Sequence, residues 1–476
     1  MQSLLTKNKL EICCIGAGYV GGPSMAVLAK KCKSLRINVV DVNQKRINAW
    51  NDSNLDNLPI YENKLKEIIK ETRGRNLFFT TNVSKVISNS DIIFICVNTP
   101  TKERGLGSGK ASDLKWVEIC AREVSKYARN HTIVIEKSTV PVKTAEVIKT
   151  ILNENSKYEG DKTKTFSVLS NPEFLSEGNA INDLENPDRV LIGGDDEDAK
   201  NLLSSIYEKW IEKSKIIKTN LWSSELSKLT SNAFLAQRIS SINSISALCE
   251  KTGANIQEVA KAIGADKRIG DKFLEAGPGF GGSCFKKDIL NLVYLCEYFD
   301  LKEVANYWEG VLKINEWQQN RISEIVVKKL FNTLSGKKIA ILGFTFKANT
   351  NDIRESPAIN ICKNLMQEGA FISIHDPKAD KESIKKEFEM IKNLSIADEN
   401  NFKEGENWEK CSSLVDTISN SASIIILTDW EEYKNIEWDN YENVSTSNSW
   451  IFDARILLNK KIFEKSKFNY WGLGYS

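Results

Sequence analysis

The stretch from Leu10 to Asp41 constrains the fold of this chain more than any other. Leu10-Glu11-Ile12-Cys13-Cys14-Ile15 reads as an apolar strand that runs straight into Gly16-Ala17-Gly18-Tyr19-Val20-Gly21. A helical pattern follows in Met25-Ala26-Val27-Leu28-Ala29-Lys30, and a second strand, Ile37-Asn38-Val39-Val40, ends at Asp41. Strand, glycine turn, helix, strand and acid is the order of a dinucleotide-binding unit. The glycines let the backbone approach a pyrophosphate at the helix N-terminus. Asp41 would accept hydrogen bonds from an adenosine ribose and repel a 2′-phosphate, which favours NAD over NADP. Arg46 leaves a second reading open, because an arginine there could meet a phosphate instead.

Further strands follow at the spacing of a doubly wound sheet. Asp91–Val97 leads into Asn98-Thr99-Pro100-Thr101, Thr132–Glu136 into Lys137-Ser138-Thr139-Val140-Pro141, and Phe166–Ser170 into Asn171-Pro172-Glu173-Phe174-Leu175. Ligands collect at the carboxyl ends of such strands, so Glu173 is expected to face the crevice. Thr99 or Thr139 taken alone reads better as ordinary loop punctuation.

Trp222–Cys249 then carries apolar residues at helical spacing with no proline or glycine, which predicts one long helix. More helical pattern covers Ile256–Ile263, Asp288–Tyr298 and Val304–Phe331. Strand pattern returns at Lys337–Gly343, Ala370–Asp376 and Ala422–Thr428. Gly343-Phe344-Thr345-Phe346-Lys347 lacks the glycine spacing of a second dinucleotide site, yet can present Lys347 to another phosphate. The polar stretch Asp398–Ser413 reads as a surface loop or insertion. The expected fold is α/β: two Rossmann-like doubly wound domains, 1–221 and 335–476, joined by a long central helix and an all-α middle domain, 222–334.

Composition removes whole function classes. The net charge of +2, from 65 basic and 63 acidic side chains, leaves no electrostatic footprint for nucleic acid or an anionic membrane. No apolar run approaches a membrane span, and the first residues lack the apolar core of a signal peptide. Ten cysteines without CxxC pairs suggest reduced thiols and a cytoplasmic setting. With two histidines, His131 and His375, no metal site is expected, and acid–base work falls to carboxylates, lysine and water.

The candidate nucleophile lies in Gly277-Pro278-Gly279-Phe280-Gly281-Gly282-Ser283-Cys284-Phe285-Lys286-Lys287-Asp288. Its glycines allow close ligand approach, and the loop delivers Cys284 where a helix begins. A thiol there meets the positive end of the helix dipole, which favours the thiolate. Asp288, one turn on, can share its face. A buried, inert cysteine beside a glycine turn is the competing reading. Lys228 and Asn232, four apart on the long helix, would point to one side together, although solvation is the ordinary fate of a lysine.

At this point the chain resembles the UDP-glucose/GDP-mannose dehydrogenase family over nearly its whole length. The blocks that carry the likeness are GAGYVGGP, VVDVN, VNTPT, EKSTVPV, NPEFLSEG, NPDRVLIGG, WSSELSKL, NAFLAQRISSINSISALCE, GPGFGGSCFKKD, ILGFTFK and DIRESPA. The long NAFLAQR block is most similar to the eukaryotic branch that oxidises UDP-glucose. The resemblance implies oxidation of UDP-glucose to UDP-glucuronate, with Cys284 as nucleophile, Lys228, Asn232 and Asp288 as its polar partners, and Glu173 and Thr139 handling water and protons.

It further implies that NAD is held by Gly16, Gly18, Tyr19, Val20, Gly21, Asp41, Arg46, Val97, Asn98, Thr99, Pro100, Thr101, Ser138, Thr139, Val140, Glu177 and Arg354. The sugar nucleotide would meet Glu173, Phe174, Leu175, Glu177, Lys228, Asn232, Phe273, Glu275, Phe280, Gly281, Phe285, Phe346, Lys347 and Arg455. Arg268 would reach the substrate of a neighbouring subunit, in a dimer built through the middle domain and in a hexamer of such dimers. One departure stands at Glu275, where the family pattern leads to an expectation of lysine. The chemistry agrees with the residues. A primary alcohol taken to a carboxylate needs two hydride transfers, and a thiol traps the aldehyde between them. A related enzyme acting on UDP-N-acetylhexosamine or GDP-mannose, and an NAD-binding regulator with a dead site, are the rival readings.

Overall fold

The computed structural model describes residues 7, 9–154, 164–394, 402–446 and 448–475. The chain forms two compact units, Met1–Ser231 and Asn232–Ser476. The first is built on eight strands: β1 Glu11–Ile15, β2 Arg36–Val40, β3 Leu77–Thr80, β4 Ile92–Ile95, β5 Thr132–Glu136, β6 Phe166–Ser170, β7 Val190–Gly194 and β8 Ile216–Thr219. Their order is β3-β2-β1-β4-β5-β6-β7-β8, parallel except where β7 runs against β6. In register, Ile15 lies beside Val40 on one side and Ile95 on the other. Helices cover both faces, so Ile12, Cys13 and Cys14 are all buried, which is why β1 reads as an unbroken apolar run. The strand order reverses direction at β1, between β2 and β4, and this places a crevice above their carboxyl ends.

The helix Leu221–Thr252 runs from the first unit into the second. The second unit continues with helices Ile256–Gly264, Phe285–Tyr298 and Lys302–Lys329. Its sheet contains β9 Lys338–Leu342, β10 Phe371–His375, β11 Trp408–Lys410, β12 Ser421–Ile426, β13 Trp450–Asp453 and β14 Asn469–Gly472. The order β11-β10-β9-β12-β13-β14 is wholly parallel and repeats the same winding.

Two sequence expectations change. Within Asp398–Ser413, residues 398–401 lie outside the described residues, and Trp408–Lys410 is a strand rather than loop. Trp408 is buried against Phe388 with ring centroids 5.3 Å apart, and its polar neighbours conceal that packing in the sequence. The helix expected from Asp288 begins at Phe285, which makes Cys284 its N-cap residue. Among the described residues no helix is long and apolar enough to cross a membrane, and no cluster of ligating side chains could hold a metal.

Candidate active site

The first unit supplies a crevice that fits NAD. Gly16 has φ +109°, and a Cβ there would fall 2.4 Å from the Cys96 carbonyl oxygen. A Cβ on Gly21 would lie 2.0 Å from the Gly16 oxygen, so neither position accepts a side chain. Gly18 instead faces open space, with nothing within 4 Å of a Cβ, which leaves its backbone free for a pyrophosphate to approach. Asp41 is buried and oriented by backbone: Ala17 N–H donates to its Oδ2 and Asn43 N–H to its Oδ1, both at 2.9 Å. Arg46 donates to Asp41 Oδ2 at 2.9 Å. The arginine is thus paired with the acid, which suits an unphosphorylated ribose.

The loops after β4 and β5 are fastened to each other. Ser138 Oγ donates to the Val97 oxygen at 2.7 Å, and Thr99 Oγ1 to the Thr139 oxygen at 2.7 Å. The Pro100 oxygen accepts Asp113 N–H, and Thr101 bridges to Ser112, while Val140 is buried below. Asn98, in the same loop, is exposed. Tyr19 and Val20 sit half-buried in the glycine turn, and Tyr19 Oη accepts Gly178 N–H at 3.1 Å, next to Glu177.

Lys228 is the point at which the solvated reading fails. It is only 4% exposed, and its Nζ lies 3.2 Å from Glu173 Oε1, itself 9% exposed. The ammonium also stands 5.4 Å from the Phe174 ring centroid. Burial alone would raise the Glu173 carboxyl, but the Lys228 charge and the Leu175 N–H at 2.7 Å hold it below the usual range. Glu173 is therefore a carboxylate at neutral pH. The sequence reading assigned no role to Lys137, which is buried, donates to the Asn171 oxygen and Oδ1 at 3.2 Å, and adds a second positive charge toward Glu173. Its signal was its place at a strand end, directly before Ser138.

The second unit assembles the cysteine loop. Asn243 Oδ1 accepts Gly277 N–H at 2.9 Å, Asn315 Oδ1 accepts Phe280 N–H at 2.8 Å, and the Arg354 oxygen accepts Gly282 N–H at 2.9 Å. A Cβ on Gly281 would meet the Glu355 oxygen at 2.4 Å, and one on Gly282 the Phe346 ring at 3.0 Å. Only glycine lets the loop lie this close to Phe346. Cys284 caps the following helix half-buried, with its Sγ 3.5 Å from Ser283 Oγ. Asp288 N–H donates to the Cys284 oxygen at 2.9 Å, and Asp288 itself is 1% exposed. Asn232 Nδ2 donates to its Oδ2 at 2.6 Å, and Lys287 Nζ lies 3.1 Å from its Oδ1.

Phe273, Phe280 and Phe285 form an edge-to-face cluster, with centroids 6.5 Å and 5.8 Å from Phe285. Arg455 is half-buried, donating to the oxygens of Leu427 at 2.8 Å and Phe346 at 3.1 Å. Half-buried Lys347 stands over the Phe346 ring. Exposed Glu275 lies within electrostatic reach of Arg455 and Lys434, so the unexpected acid adds to the negative charge that Asp429 and Glu431 already place beside them. Arg354 turns its side chain to Asp352 and its carbonyl to the cysteine loop. Arg268 is 89% exposed beside Asp266. In the second sheet, Asp376 ends β10 as Asp41 ends β2, but its Oδ2 accepts the Phe344 and Thr345 N–H groups and Trp430 Nε1. The missing glycine spacing there goes with an acid turned inward on its own turn.

Models of three successive parts of one family match the chain. The NAD-binding domain of the UDP-glucose/GDP-mannose dehydrogenase family matches residues 10–211, its central domain 222–317 and its UDP-binding domain 340–460. The chain belongs to the UDP-glucose/GDP-mannose dehydrogenase family. It is an NAD-dependent oxidoreductase of that family. It is 50% identical to UDP-glucose 6-dehydrogenase 3 of Oryza sativa subsp. japonica, across 98% of this chain and 97% of the relative. It is 51% identical to UDP-glucose 6-dehydrogenase of Gallus gallus, across 94% and 89%. Among solved structures it resembles a UDP-glucose dehydrogenase from the archaeon Pyrobaculum islandicum, with TM-score 0.83, 28% identity and 99% of each chain covered.

Proposed function

We propose that this enzyme oxidises UDP-glucose to UDP-glucuronate, using two NAD molecules in succession and Cys284 as a covalent nucleophile. The observation that carries the substrate is half identity, over nearly entire chains, to relatives named UDP-glucose 6-dehydrogenases. The N-cap thiol beside a buried carboxylate supports the covalent route. Gly18 and Asp41 would hold NAD, which would supply the hydride acceptor. The first oxidation removes a proton and a hydride from the primary alcohol, leaving an aldehyde. Cys284 thiolate adds to it, forming a C–S bond, and the alkoxide takes up the proton released in the first step to give a thiohemiacetal. Loss of a second proton and hydride gives a thioester, and water cleaves the C–S bond to release carboxylate and thiol.

Lys228 supplies fixed positive charge for the oxyanions in these steps, and Glu173 as carboxylate holds that lysine in place. Asn232 holds Asp288, which positions or deprotonates water with Thr139 and Glu173. In this reading 1–221 binds NAD, 335–476 binds the UDP moiety, and 222–334 pairs two subunits. Phe234 and Leu248 support the pairing, being 54% and 57% exposed on a helix whose Leu229 and Ile242 are buried. Arg268, exposed and ion-paired with Asp266 in its own chain, then has a neighbour's substrate to reach. The test is stoichiometry: two NADH formed per UDP-glucose, with UDP-N-acetylhexosamine and GDP-mannose turned over far more slowly. One NADH per sugar, or preference for either rival substrate, overturns the reading.

A further inference from the structure

Two buried glutamates to which the mechanism gives no part grip the two reactive loops of the first unit in the same way. Glu225 Oε2 accepts Lys143 N–H at 2.7 Å, and its Oε1 accepts Ala145 N–H at 2.7 Å. Glu62 Oε1 accepts Gly178 N–H at 2.6 Å, and its Oε2 accepts Ala180 N–H at 2.9 Å. In both cases one carboxylate takes the N–H groups of residues i and i+2. In both cases residue i is left-handed, Lys143 at φ +79° and Gly178 at φ +81°. That conformation turns neighbouring N–H groups toward a common point and makes a concave seat for an anion. Lys143 is not glycine, so its conformation is held against its own preference.

Each seat closes a loop that carries reactive groups. Lys143 ends the turn containing Ser138, Thr139 and Val140, and Gly178 ends the turn containing Glu173, Phe174 and Glu177. Glu225 also lies on the helix that carries Lys228, one turn earlier, and Gly178 N–H is shared with Tyr19 of the glycine turn. Glu62 and Glu225 are 6% and 2% exposed, so water does not compete for either carboxylate. Side chains placed merely to cap helices have no reason to repeat so closely at these two loops.

We propose that Glu62 and Glu225 are a matched pair of positioning residues, each locking one reactive loop through a bidentate carboxylate–backbone clamp. The kinetic consequence rests on the roles given above to Thr139 and Glu173, whereas the loop consequence does not. Glutamine matches glutamate in shape, but its amide nitrogen cannot accept, so each Glu→Gln change deletes one of the two bonds.

The experiment measures hydrogen exchange by peptide in the full-length protein, beside steady-state kinetics. In Glu225→Gln the segment 138–145 should exchange at least about fivefold faster, with 173–180 unchanged; in Glu62→Gln the pattern should reverse. Each variant should lose about tenfold or more in kcat. Glu225→Gln should raise KM for NAD but leave KM for UDP-glucose within about twofold, and Glu62→Gln should raise KM for UDP-glucose. The proposal is overturned if either variant leaves its own loop at the wild-type exchange rate. It is equally overturned if both loops loosen together in each variant, or if kcat stays within about twofold. Where a glutamine variant does not fold, the aspartate variant, which keeps the charge one methylene short, carries the same readout. Wild-type protein that keeps both loops protected but does not oxidise UDP-glucose would refute the function and leave the clamps standing.

Discussion

Asn232 donates to Asp288 Oδ2 at 2.6 Å, tying the long helix to the helix that Cys284 caps. The bond joins two fully or nearly buried side chains, so removing its donor leaves a charged acceptor short of a partner. Asn232→Ala should destabilise the protein by roughly 1–3 kcal/mol in chemical denaturation. It should also depress kcat, because Asp288 loses its fixed orientation. Unaltered stability would mean that Lys287, 3.1 Å away, satisfies the carboxylate alone.

Cys284→Ser tests the covalent step. The N-cap geometry that favours a thiolate does little for a hydroxyl, whose proton is held far more tightly. UDP-glucose binding should survive and turnover should fall by several orders of magnitude. Intact-protein mass spectrometry should reveal a sugar-nucleotide ester that water releases slowly. NADH production at the wild-type rate would end the covalent mechanism.

Cofactor choice follows from the Asp41–Arg46 pair. In the proposed cofactor site Asp41 would lie where a 2′-phosphate sits, and it engages Arg46, which could otherwise welcome that phosphate. Wild-type enzyme should use NAD far better than NADP. Asp41→Ala should narrow the gap by roughly tenfold or more, about 1.4 kcal/mol. Asp41→Ala/Arg46→Ala should lose that gain. Equal use of both cofactors by the wild type would reassign the pair.

Burial pushes the Glu225 carboxyl up to about 7, despite two backbone N–H donors, and Glu146 on the following helix adds to the rise. Glu136 on β5 faces it as a second buried acid, and Lys143 N–H is the donor opposite. From its ordinary 4.5 up to about 7, the native state keeps a proton that the unfolded chain has released. This group's contribution to stability therefore falls as pH rises through that window, by at most on the order of 3 kcal/mol. The clamp needs the carboxylate, so kcat should rise over the same interval. Opposed trends in melting temperature and kcat between pH 5.5 and 8, both flattened in Glu225→Gln, are the expected result; parallel trends would remove Glu225 as their source.

How much of this was legible in the sequence depends on where each element's partners lie. Strands β1, β4, β5, β6, β9, β10 and β12 stand inside their sheets and are covered on both faces, so they read as continuous apolar runs. The edge strands β8 and β11 do not, since one carries exposed Ile217 and Lys218 and the other alternates Trp408 with Glu409 and Lys410. Cys284 and Asp41 were found because local order alone places them, at a helix start and at a strand end. Lys228 reads as solvated because its partner, Glu173, is distant in sequence and is brought to it only by the sheet. Glu62 and Glu225 leave no trace at the loops they hold, because a backbone N–H has no residue type.

The last prediction concerns assembly. The long helix has almost no net amphipathicity, with apolar side chains around much of its circumference, and such a helix is stable only when covered on several sides. Within the chain, helices Phe285–Tyr298 and Lys302–Lys329 cover the side that includes Ala233, Ala236 and Ile242. They leave Phe234, Ile245 and Leu248 exposed, together with Tyr298, Phe299 and Leu301 at the turn between those two helices and Tyr307 on the second of them. A second copy related by a two-fold axis is the simplest cover, because the same patch then serves both partners. Light scattering at assay concentration should give a dimer or a multiple of it. Leu248→Glu, which places charge in the patch and touches no group assigned to chemistry, should shift the mass toward monomer. Arg268→Ala should leave the mass unchanged and raise KM for UDP-glucose strongly, since its guanidinium is proposed to serve the neighbour's site. A fully active monomer would refute both the interface and the shared site.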